Sequence, residues 1–389
     1  MLKINSIRAL LLLTFFSLFL SGCSTLGWLK FWGDDEEVEL PTELYDIKQE
    51  ITLSIKWKSR SGDGENLGRI LPVIIDDKAF IASSTGEVQS LGLEKGKKIW
   101  SRKTKDPISG ALGEGFKKLF YGTLDGEVVS LSSSDGKEEW RTQTSSEVLS
   151  PPATNGNIVA VHSTDGSISG LDFKTGTQRW IHQSSSPRLS LRGTSIPFFD
   201  QGFIFTGFAN GKVSMIYPDT GSVRWEVPVA INEGKSELER IVDIDGKLIV
   251  YGGLLFSASF QGNLTALDLK SGRPVWQEKI STSKDLSEAR SRIISVDDKS
   301  IVRGYGSSSG VLVWQQEDLK LRKISSPVTI KSNVVVGDYE GYLHILSSKD
   351  GSFLARKKVS NKPIIEIVSE GDQLLVLDET GLLIFLLIG

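Results

Sequence analysis

Histidine and cysteine, the side chains most used for metal binding and nucleophilic catalysis, are scarce in this chain of 389 residues. The three histidines, His162, His182 and His344, lie far apart in the sequence and cannot build a repeated metal site. The motifs Gly-x-Ser-x-Gly and His-Glu-x-x-His and the P-loop are absent from the sequence. Asp-Gly pairs such as Asp125-Gly126 offer one carboxylate each, which is typical of a turn and too few for calcium. We therefore predict no catalytic residue, no metal site and no cofactor.

The single cysteine, Cys23, ends a segment that has the pattern of a secretory signal. Lys3 and Arg8 supply positive charge, and an apolar run covers residues 9–20. Leu-Ser-Gly-Cys at 20–23 resembles a bacterial lipobox, which implies removal of residues 1–22 and acylation of Cys23, for example with palmitate. Ser24 resembles an outer-membrane sorting signal, so we expect a lipid-anchored protein on the periplasmic side of the outer membrane. An N-terminal membrane helix is the alternative, although the run is short for a span.

Residues 23–46 have the composition of a lipidated tether. Trp28, Phe31 and Trp32 are followed by an acidic run at 34–37. The aromatic side chains could lie in the membrane interface or dock on a partner, whereas a solvated linker is the simpler interpretation.

The rest of the chain is built from repeats. The pattern Gly-x-x-x-Trp ends at Trp100, Trp140, Trp180, Trp225, Trp276 and Trp314. Trp57 falls in the same phase, and Ala355 occupies it in the last such copy. Ten residues before the first glycine stands a second one, at Gly86, Gly126, Gly166, Gly211, Gly262, Gly341 and Gly381, with Ser300 in one degenerate copy. The sequence therefore contains eight copies of a unit of about 40 residues, the length of a propeller blade.

Each copy predicts four short strands joined by glycine turns, because Asp-Gly and Asn-Gly favour hairpins. The last copy lacks a Trp-bearing strand, while residues 55–58 around Trp57 supply a surplus one. We therefore predict an all-β fold over residues 47–389, an eight-bladed β-propeller of four-stranded antiparallel blades. Pairing of the N- and C-terminal strands closes it, whereas a linear solenoid, the rival, would need polar capping repeats. The repeated tryptophans are predicted to be core between blades rather than stacking platforms.

Two long connections indicate where the protein binds a partner. The spacing from Trp to the next glycine is 26 residues after Trp100 and Trp140, but 31 after Trp180 and 37 after Trp225. Both insertions fall in the same phase of neighbouring blades, so they should lie side by side on one rim. The residues that we select as partner-binding are Leu189, Leu191 and Arg192 in the first insertion and Asp243 and Asp245 in the second. Alternatively, the leucines only pack the loop onto the propeller.

A net charge of −3 argues against a nucleic-acid partner. The Gly-x-x-x-Trp repeat resembles that of pyrroloquinoline-quinone dehydrogenases, which are also eight-bladed and would imply a periplasmic enzyme. Those enzymes are longer and usually carry a vicinal disulfide over the cofactor, which a chain with one cysteine cannot form. We therefore predict a protein that is not an enzyme.

Three stretches resemble the BamB family, the lipoprotein subunits of the outer-membrane β-barrel assembly machinery. They are residues 189–193 (LSLRG), 262–269 (GNLTALDL) and 336–344 (VGDYEGYLH). The resemblance covers about residues 45–389 and the lipobox. It implies a scaffold in the Bam complex that binds the periplasmic POTRA domains of BamA and assists insertion of outer-membrane proteins. It also implies the same five partner-binding positions, whose charged members could instead bridge each other. Direct capture of unfolded barrel substrates at a blade edge is a second binding hypothesis.

Overall fold

A computed structural model describes residues 39–60, 68–185, 194–230 and 241–389. Residues Pro41–Gly389 form one compact unit. The regular elements of the described ranges are β-strands arranged in eight four-stranded sheets. In those ranges there is no helix with the length and hydropathy needed to cross a bilayer.

The first strand of the chain, β1 (Leu53–Arg60), belongs to the last sheet, and the next sixteen strands form four consecutive blades. Blade 1 contains β2 (Val73–Ile75), β3 (Lys78–Ala82), β4 (Glu87–Gly92) and β5 (Lys98–Lys103). Blade 2 contains β6 (Ile108–Gly115), β7 (Lys118–Thr123), β8 (Glu127–Ser132) and β9 (Glu138–Gln143). Blade 3 contains β10 (Ala153–Thr154), β11 (Ile158–His162), β12 (Ser167–Asp172) and β13 (Gln178–Gln183). Blade 4 contains β14 (Phe198–Asp200), β15 (Phe203–Gly207), β16 (Lys212–Ile216) and β17 (Val223–Pro228).

The second half of the chain repeats this arrangement. Blade 5 contains β18 (Ile249–Tyr251), β19 (Leu254–Ala258), β20 (Gly262–Asp268) and β21 (Pro274–Ile280). Blade 6 contains β22 (Ser287–Ala289), β23 (Arg292–Val296), β24 (Val302–Gly306) and β25 (Leu312–Gln316). Blade 7 contains β26 (Val328–Ile330), β27 (Asn333–Gly337), β28 (Tyr342–Leu346) and β29 (Phe353–Lys358). Blade 8 contains β30 (Ile364–Glu370), β31 (Gln373–Asp378) and β32 (Leu382–Ile388), and β1 completes it.

Closure of the ring by the two ends of the chain is confirmed. Strand β1 pairs antiparallel with β32 from Leu53 opposite Ile388 to Arg60 opposite Leu382. The sheet order is β1-β32-β31-β30, so the N-terminal strand is the outermost strand of blade 8. The predicted eight-bladed, all-β architecture is therefore confirmed, and this pairing gives β32 a partner on the side that would otherwise be an open edge.

The second and third strands of each blade are buried on both faces because each blade lies between two others. In β11, all five residues of the run Ile-Val-Ala-Val-His are buried. The outer strands are largely exposed, as in β5, where four of six residues face solvent. The core therefore lies between blades, where for example Phe120 and Trp140 of blade 2 pack on Val159 and Phe173 of blade 3.

The repeated tryptophans join neighbouring blades at seven of the eight junctions, in keeping with their predicted place between blades. The indole nitrogen of Trp57 donates a hydrogen bond of 2.6 Å to the Leu93 carbonyl of blade 1, and Trp100 bonds Ser133 of blade 2 at 3.1 Å. The same bond recurs from Trp140, Trp180, Trp225, Trp276 and Trp314. The glycine of the receiving turn lies on the ring, since a Cβ at Gly136 would come 2.6 Å from the Trp100 ring. Gly136 also has a φ of +68°, which favours glycine.

The degenerate copy keeps the turn without its glycine. Ser300 adopts a φ of +66° at the position of the missing glycine. The carboxylate of Asp297 stabilises this turn, because its Oδ1 accepts hydrogen bonds of 2.9 Å from the amides of Lys299 and Ile301. Blade 6 therefore has all four strands, although its sequence lacks the turn glycine.

Candidate partner-binding site

The predicted site residues divide between described and undescribed parts of the chain. Leu189, Leu191 and Arg192, and the predicted lipidation site Cys23, lie outside the described residues. Asp243 and Asp245 are described and lie in the segment 241–248, which leads from the second insertion into β18. The described geometry of the site is therefore that of the segment 241–248 and of the residues that flank the first insertion.

The described ends of the two insertions meet on one rim. Ser195, just after the first insertion, has its hydroxyl oxygen 3.4 Å from the carbonyl oxygen of Gly246 in the segment 241–248. The carbonyl of Ser195 also receives a hydrogen bond of 2.9 Å from Nδ1 of His162. Burial lowers the pKa of His162 to about 4, so the imidazole is neutral and its Nδ1 carries the proton. The described ends of the two longest connections therefore lie next to each other.

Alternate residues anchor the segment 241–248 to blade 4. Val242 and Ile244 are buried, and the side chain of Ile244 occupies the space where Gly207 has no Cβ. Asp243 is also buried, and its carbonyl accepts a hydrogen bond of 2.9 Å from the amide of Phe260 in blade 5. The segment is therefore fixed between blades 4 and 5.

Asp245 is the second acidic residue of this segment. Its Oδ1 is buried and has no hydrogen-bond partner in the described part of the chain. Burial raises the pKa of Asp245 to about 6, and the positive charge of Arg69 offsets part of that rise. A buried carboxylate oxygen without a donor is costly, so a cation or hydrogen-bond donor that reached it would lower that cost.

Arg69 is a charged residue at the centre of the ring that the sequence did not indicate. It lies in the connection from β1 to β2 and forks onto Asp285, with Nη1–Oδ1 and Nη2–Oδ2 distances of 2.7 and 2.5 Å. Its Nε also donates to Glu366 Oε1 at 3.1 Å. We call Arg69, Asp285 and Glu366 the Arg69 cluster.

The pKa values of the two carboxyl groups in the Arg69 cluster shift in opposite directions, although both groups bond the same guanidinium. Burial alone would raise the pKa of Asp285, but Arg69 and the hydrogen bonds to Arg69 and Lys247 lower it. Burial raises the pKa of Glu366, and the Asp285 carboxylate adds to the rise while Arg69 opposes it. The positive charge of Arg69 therefore stabilises the ionised form of Asp285 more than that of Glu366.

The Arg69 cluster lies in the central channel, in a cavity of about 480 Å³ lined by the innermost strands and their entry residues. Asp285 and Glu366 stand fifteen residues before Ser300 and Gly381, a position that lines the channel in almost every blade. At that position the other blades carry Leu71, Ala111, Pro151, Ile196, Lys247 and Ser326. Alignment of the eight copies at this position would have shown that it holds two acidic residues and one lysine. Nothing in the copies would have indicated that Arg69, two residues earlier in its own copy, reaches them.

Comparison with known proteins agrees with the fold and the sequence pattern. Residues 84–302 match the family described as outer membrane protein assembly factor BamB. The BamB of Pseudomonas aeruginosa is 48% identical over 323 residues, which cover 82% of this chain and 85% of that protein. The crystal structure of BamB from Moraxella catarrhalis matches with a TM-score of 0.79 at 26% identity, over 86% of this chain and 100% of that one.

Enzymes share the architecture at much lower identity. A quinohemoprotein alcohol dehydrogenase from Pseudomonas putida HK5 matches with a TM-score of 0.68 at 10% identity, over 86% of this chain and 76% of that one. At that identity the likeness shows the propeller fold alone.

Proposed function

Since this chain belongs to the family of outer membrane protein assembly factor BamB, we propose that it is a non-catalytic scaffold that binds the periplasmic POTRA domains of BamA. In this role it assists the insertion of outer-membrane proteins, anchored to the outer membrane through acylated Cys23. The binding site is the rim where the two long connections meet. Leu189 and Leu191 supply apolar contact there, and Arg192, Asp243 and Asp245 set the polar register.

The observation that carries this proposal is the buried oxygen of Asp245. Oδ1 of Asp245 has no donor in the described part of the chain, and the residues around it are fixed. A lysine or arginine side chain from a partner would satisfy this oxygen and would stabilise the ionised carboxylate of Asp245. Loss of such a charge-assisted contact weakens binding strongly, because the partner's cation then stays desolvated without a counter-charge.

Binding to the soluble POTRA domains of BamA tests the proposal. We expect Asp245→Asn, which keeps the shape and removes the charge, to raise the Kd at least tenfold. Arg192→Glu should do the same, whereas Asp135→Asn in an exposed turn of blade 2 should leave the Kd unchanged. Failure of the wild-type protein to bind the POTRA domains would contradict the proposed function. If Asp245→Asn and Arg192→Glu both bind as tightly as the wild type, the assignment of the binding site is wrong.

The exposed edge of blade 6 favours a second candidate function, direct capture of unfolded barrel substrates. Val311, Leu312 and Val313 are 62%, 45% and 48% exposed at the start of β25. In the described part of the chain no strand pairs with the outward edge of β25. Edge strands usually carry charges that discourage pairing, so an apolar one suits the addition of an extended apolar segment.

Site-specific crosslinking separates this candidate from the first. A photoreactive residue at Val311 should crosslink to an unfolded outer-membrane β-barrel protein, whereas one at Arg179 on the outer strand of blade 3 should not. Leu312→Lys should reduce the crosslinking at Val311 without changing the Kd for the POTRA domains. Equal crosslinking from Val311 and Arg179 would contradict a dedicated edge.

A further inference from the structure

We propose that Arg69 and Asp285 are positioning residues for the partner-binding site, because together they hold the backbone of the segment that carries Asp243 and Asp245. This inference rests on the proposed function of that segment. Neither residue lies in the two insertions, and Arg69 belongs to the connection between β1 and β2. The binding loop is therefore held in place from across the channel.

The carboxylate of Asp285 makes the link. Its Oδ1 accepts one hydrogen bond from Arg69 Nη1 and another from the backbone amide of Lys247, both of 2.7 Å. Lys247 is only two residues from Asp245, so the amide bond fixes the segment immediately after the acidic side chain. Because Arg69 takes both oxygens of Asp285, it sets the plane in which the carboxylate meets that amide.

Gly246 allows this link by bringing two backbones together. A Cβ at Gly246 would overlap the carbonyl oxygen of Lys284, the residue before Asp285. The backbone amide of Asp285 donates a hydrogen bond of 3.0 Å to the hydroxyl of Ser326 in the next connection. The segments around Gly246 and Asp285 therefore pack backbone to backbone, and the carboxylate has little freedom.

Glu366 holds Arg69 from the other side. Its Oε1 accepts from Arg69 Nε, so the guanidinium is fixed between blade 8 and the connection that precedes blade 6. The backbone of Arg69 is fixed as well, since its amide donates to the Leu149 carbonyl at 2.8 Å. A guanidinium that is held on both sides presents a rigid pair of donors to Asp285. The segment 241–248 is therefore already ordered, which lowers the entropic cost of binding a partner.

The test compares Arg69→Met and Asp285→Asn with a matched control, Arg141→Met. Arg141 is an equally part-buried arginine that pairs with Asp106, Glu127 and Glu138 on the outside of blade 2. The readouts are the Kd for the soluble POTRA domains of BamA and the hydrogen-exchange rate of the Lys247 amide. We expect Arg69→Met to raise the Kd at least tenfold and to speed exchange at Lys247 at least tenfold. Arg141→Met should change neither.

Asp285→Asn keeps an oxygen that can accept the Lys247 amide but loses the charge that orients Arg69, so its effect on both readouts should be smaller than that of Arg69→Met. If Arg69→Met does not fold, Asp285→Asn alone decides, with a threefold or larger rise in Kd expected. Wild-type Kd and wild-type exchange in a folded Arg69 or Asp285 variant would overturn the inference. Absence of binding by the wild-type protein would instead overturn the proposed function, and faster exchange at Lys247 would still support the positioning role.

Discussion

Arg356 donates a hydrogen bond of 3.1 Å from its Nε to Nδ1 of His344, so this buried imidazole is neutral with its proton on Nε2. That proton is donated to Asp338 Oδ2 at 3.0 Å. Burial lowers the pKa of His344 against the opposing effect of Asp338, and the nearby arginines lower it further. The guanidinium of Arg356 also bonds the carbonyl of Tyr45 and lies 5.6 Å from the centre of its ring. His344 thus orients the arginine that holds the N-terminal segment against blade 7.

Removal of Arg356 should loosen the N-terminal segment without opening the ring. We expect Arg356→Met to speed amide exchange over residues 42–50 and to lower the free energy of unfolding by about 1–2 kcal/mol, since it removes a charged hydrogen bond and a cation–π contact. Lys98→Met on the exposed strand β5 is the control and should change neither quantity. Unchanged exchange over residues 42–50 would show that other contacts hold the segment.

His162 should make the protein less stable in mild acid. Its pKa is lowered by burial to about 4, whereas an unfolded histidine titrates near 6.5. The unfolded state therefore gains protons first, and stability present above pH 6.5 is lost as the pH falls towards 4, by at most about 3 kcal/mol. Urea unfolding at pH 7.5 and 5 should show a smaller loss for His162→Gln than for the wild type. His344 acts with the same sign, so part of the loss should remain.

Binding of the POTRA domains should depend on pH through Asp245. A partner's cation prefers the ionised carboxylate, whose pKa is about 6, so affinity should fall by up to about tenfold for each pH unit below 6. Arg69, Glu114, Lys247, Asp285 and Glu366 are the charged groups that line the neighbouring cavity, and Arg69 favours the ionised form of Asp245. Asp245→Asn should flatten the profile between pH 7.5 and 5. A profile that keeps its slope in this variant would place the titrating group elsewhere.

Two glycines of similar conformation distinguish backbone strain from inter-blade packing. Gly136 and Gly202 both have positive φ, but a Cβ would meet the Trp100 ring at Gly136 and open space at Gly202. Gly202→Ala should cost about 1 kcal/mol from strain, whereas Gly136→Ala should cost about 1–3 kcal/mol more because the indole must move. Denaturant midpoints measure both. Equal losses would mean that the Trp–Gly contact adds nothing to stability.

Ala355 shows why one tryptophan is missing. Each tryptophan covers the turn between the third and fourth strands of the next blade, but in blade 8 those strands are β32 and β1, which belong to opposite ends of the chain. Ala355 is buried there with Leu53 and Ile388, and the carbonyl of Leu354 accepts the amide of Glu50 at 2.7 Å. The N-terminal segment therefore takes the space that an indole would need.

Placing a tryptophan at Ala355 or an alanine at Trp314 should destabilise the protein in either case. We expect Ala355→Trp to cost about 1–3 kcal/mol by overpacking. Trp314→Ala should cost about 3–5 kcal/mol, because the indole is buried, covers Gly351 and bonds the Ser348 carbonyl. Denaturant unfolding measures both variants, and a stabilised Ala355→Trp would show that blade 8 has room for the ring.

The fold could be predicted from the sequence because its signals are local and repeated. Turn glycines and tryptophans at fixed spacing define each blade, and even Ser300 keeps the turn, with Asp297 beside it. The Arg69 cluster could not be predicted in this way. Arg69, Asp285 and Glu366 meet only after the ring has closed, and no repeat of the pattern marks an arginine that crosses the channel. The insertions point to Asp243 and Asp245, but the sequence gives no sign that the backbone next to them, at Lys247, bonds a carboxylate of that same cluster.

The pairing of β1 with β32 also sets an order in time. A ribosome produces β1 before any blade exists and produces its only sheet neighbour last, after blades 1 to 7. During that interval Trp57 has a place to bind on blade 1, but the backbone of β1 has no strand to pair with. A product that stops before Leu382 can stack seven blades and still expose an unfinished edge on each side of the gap. The seven residues of β32 therefore determine whether the backbone of β1 is paired, so only a chain that extends through β32 can close the ring.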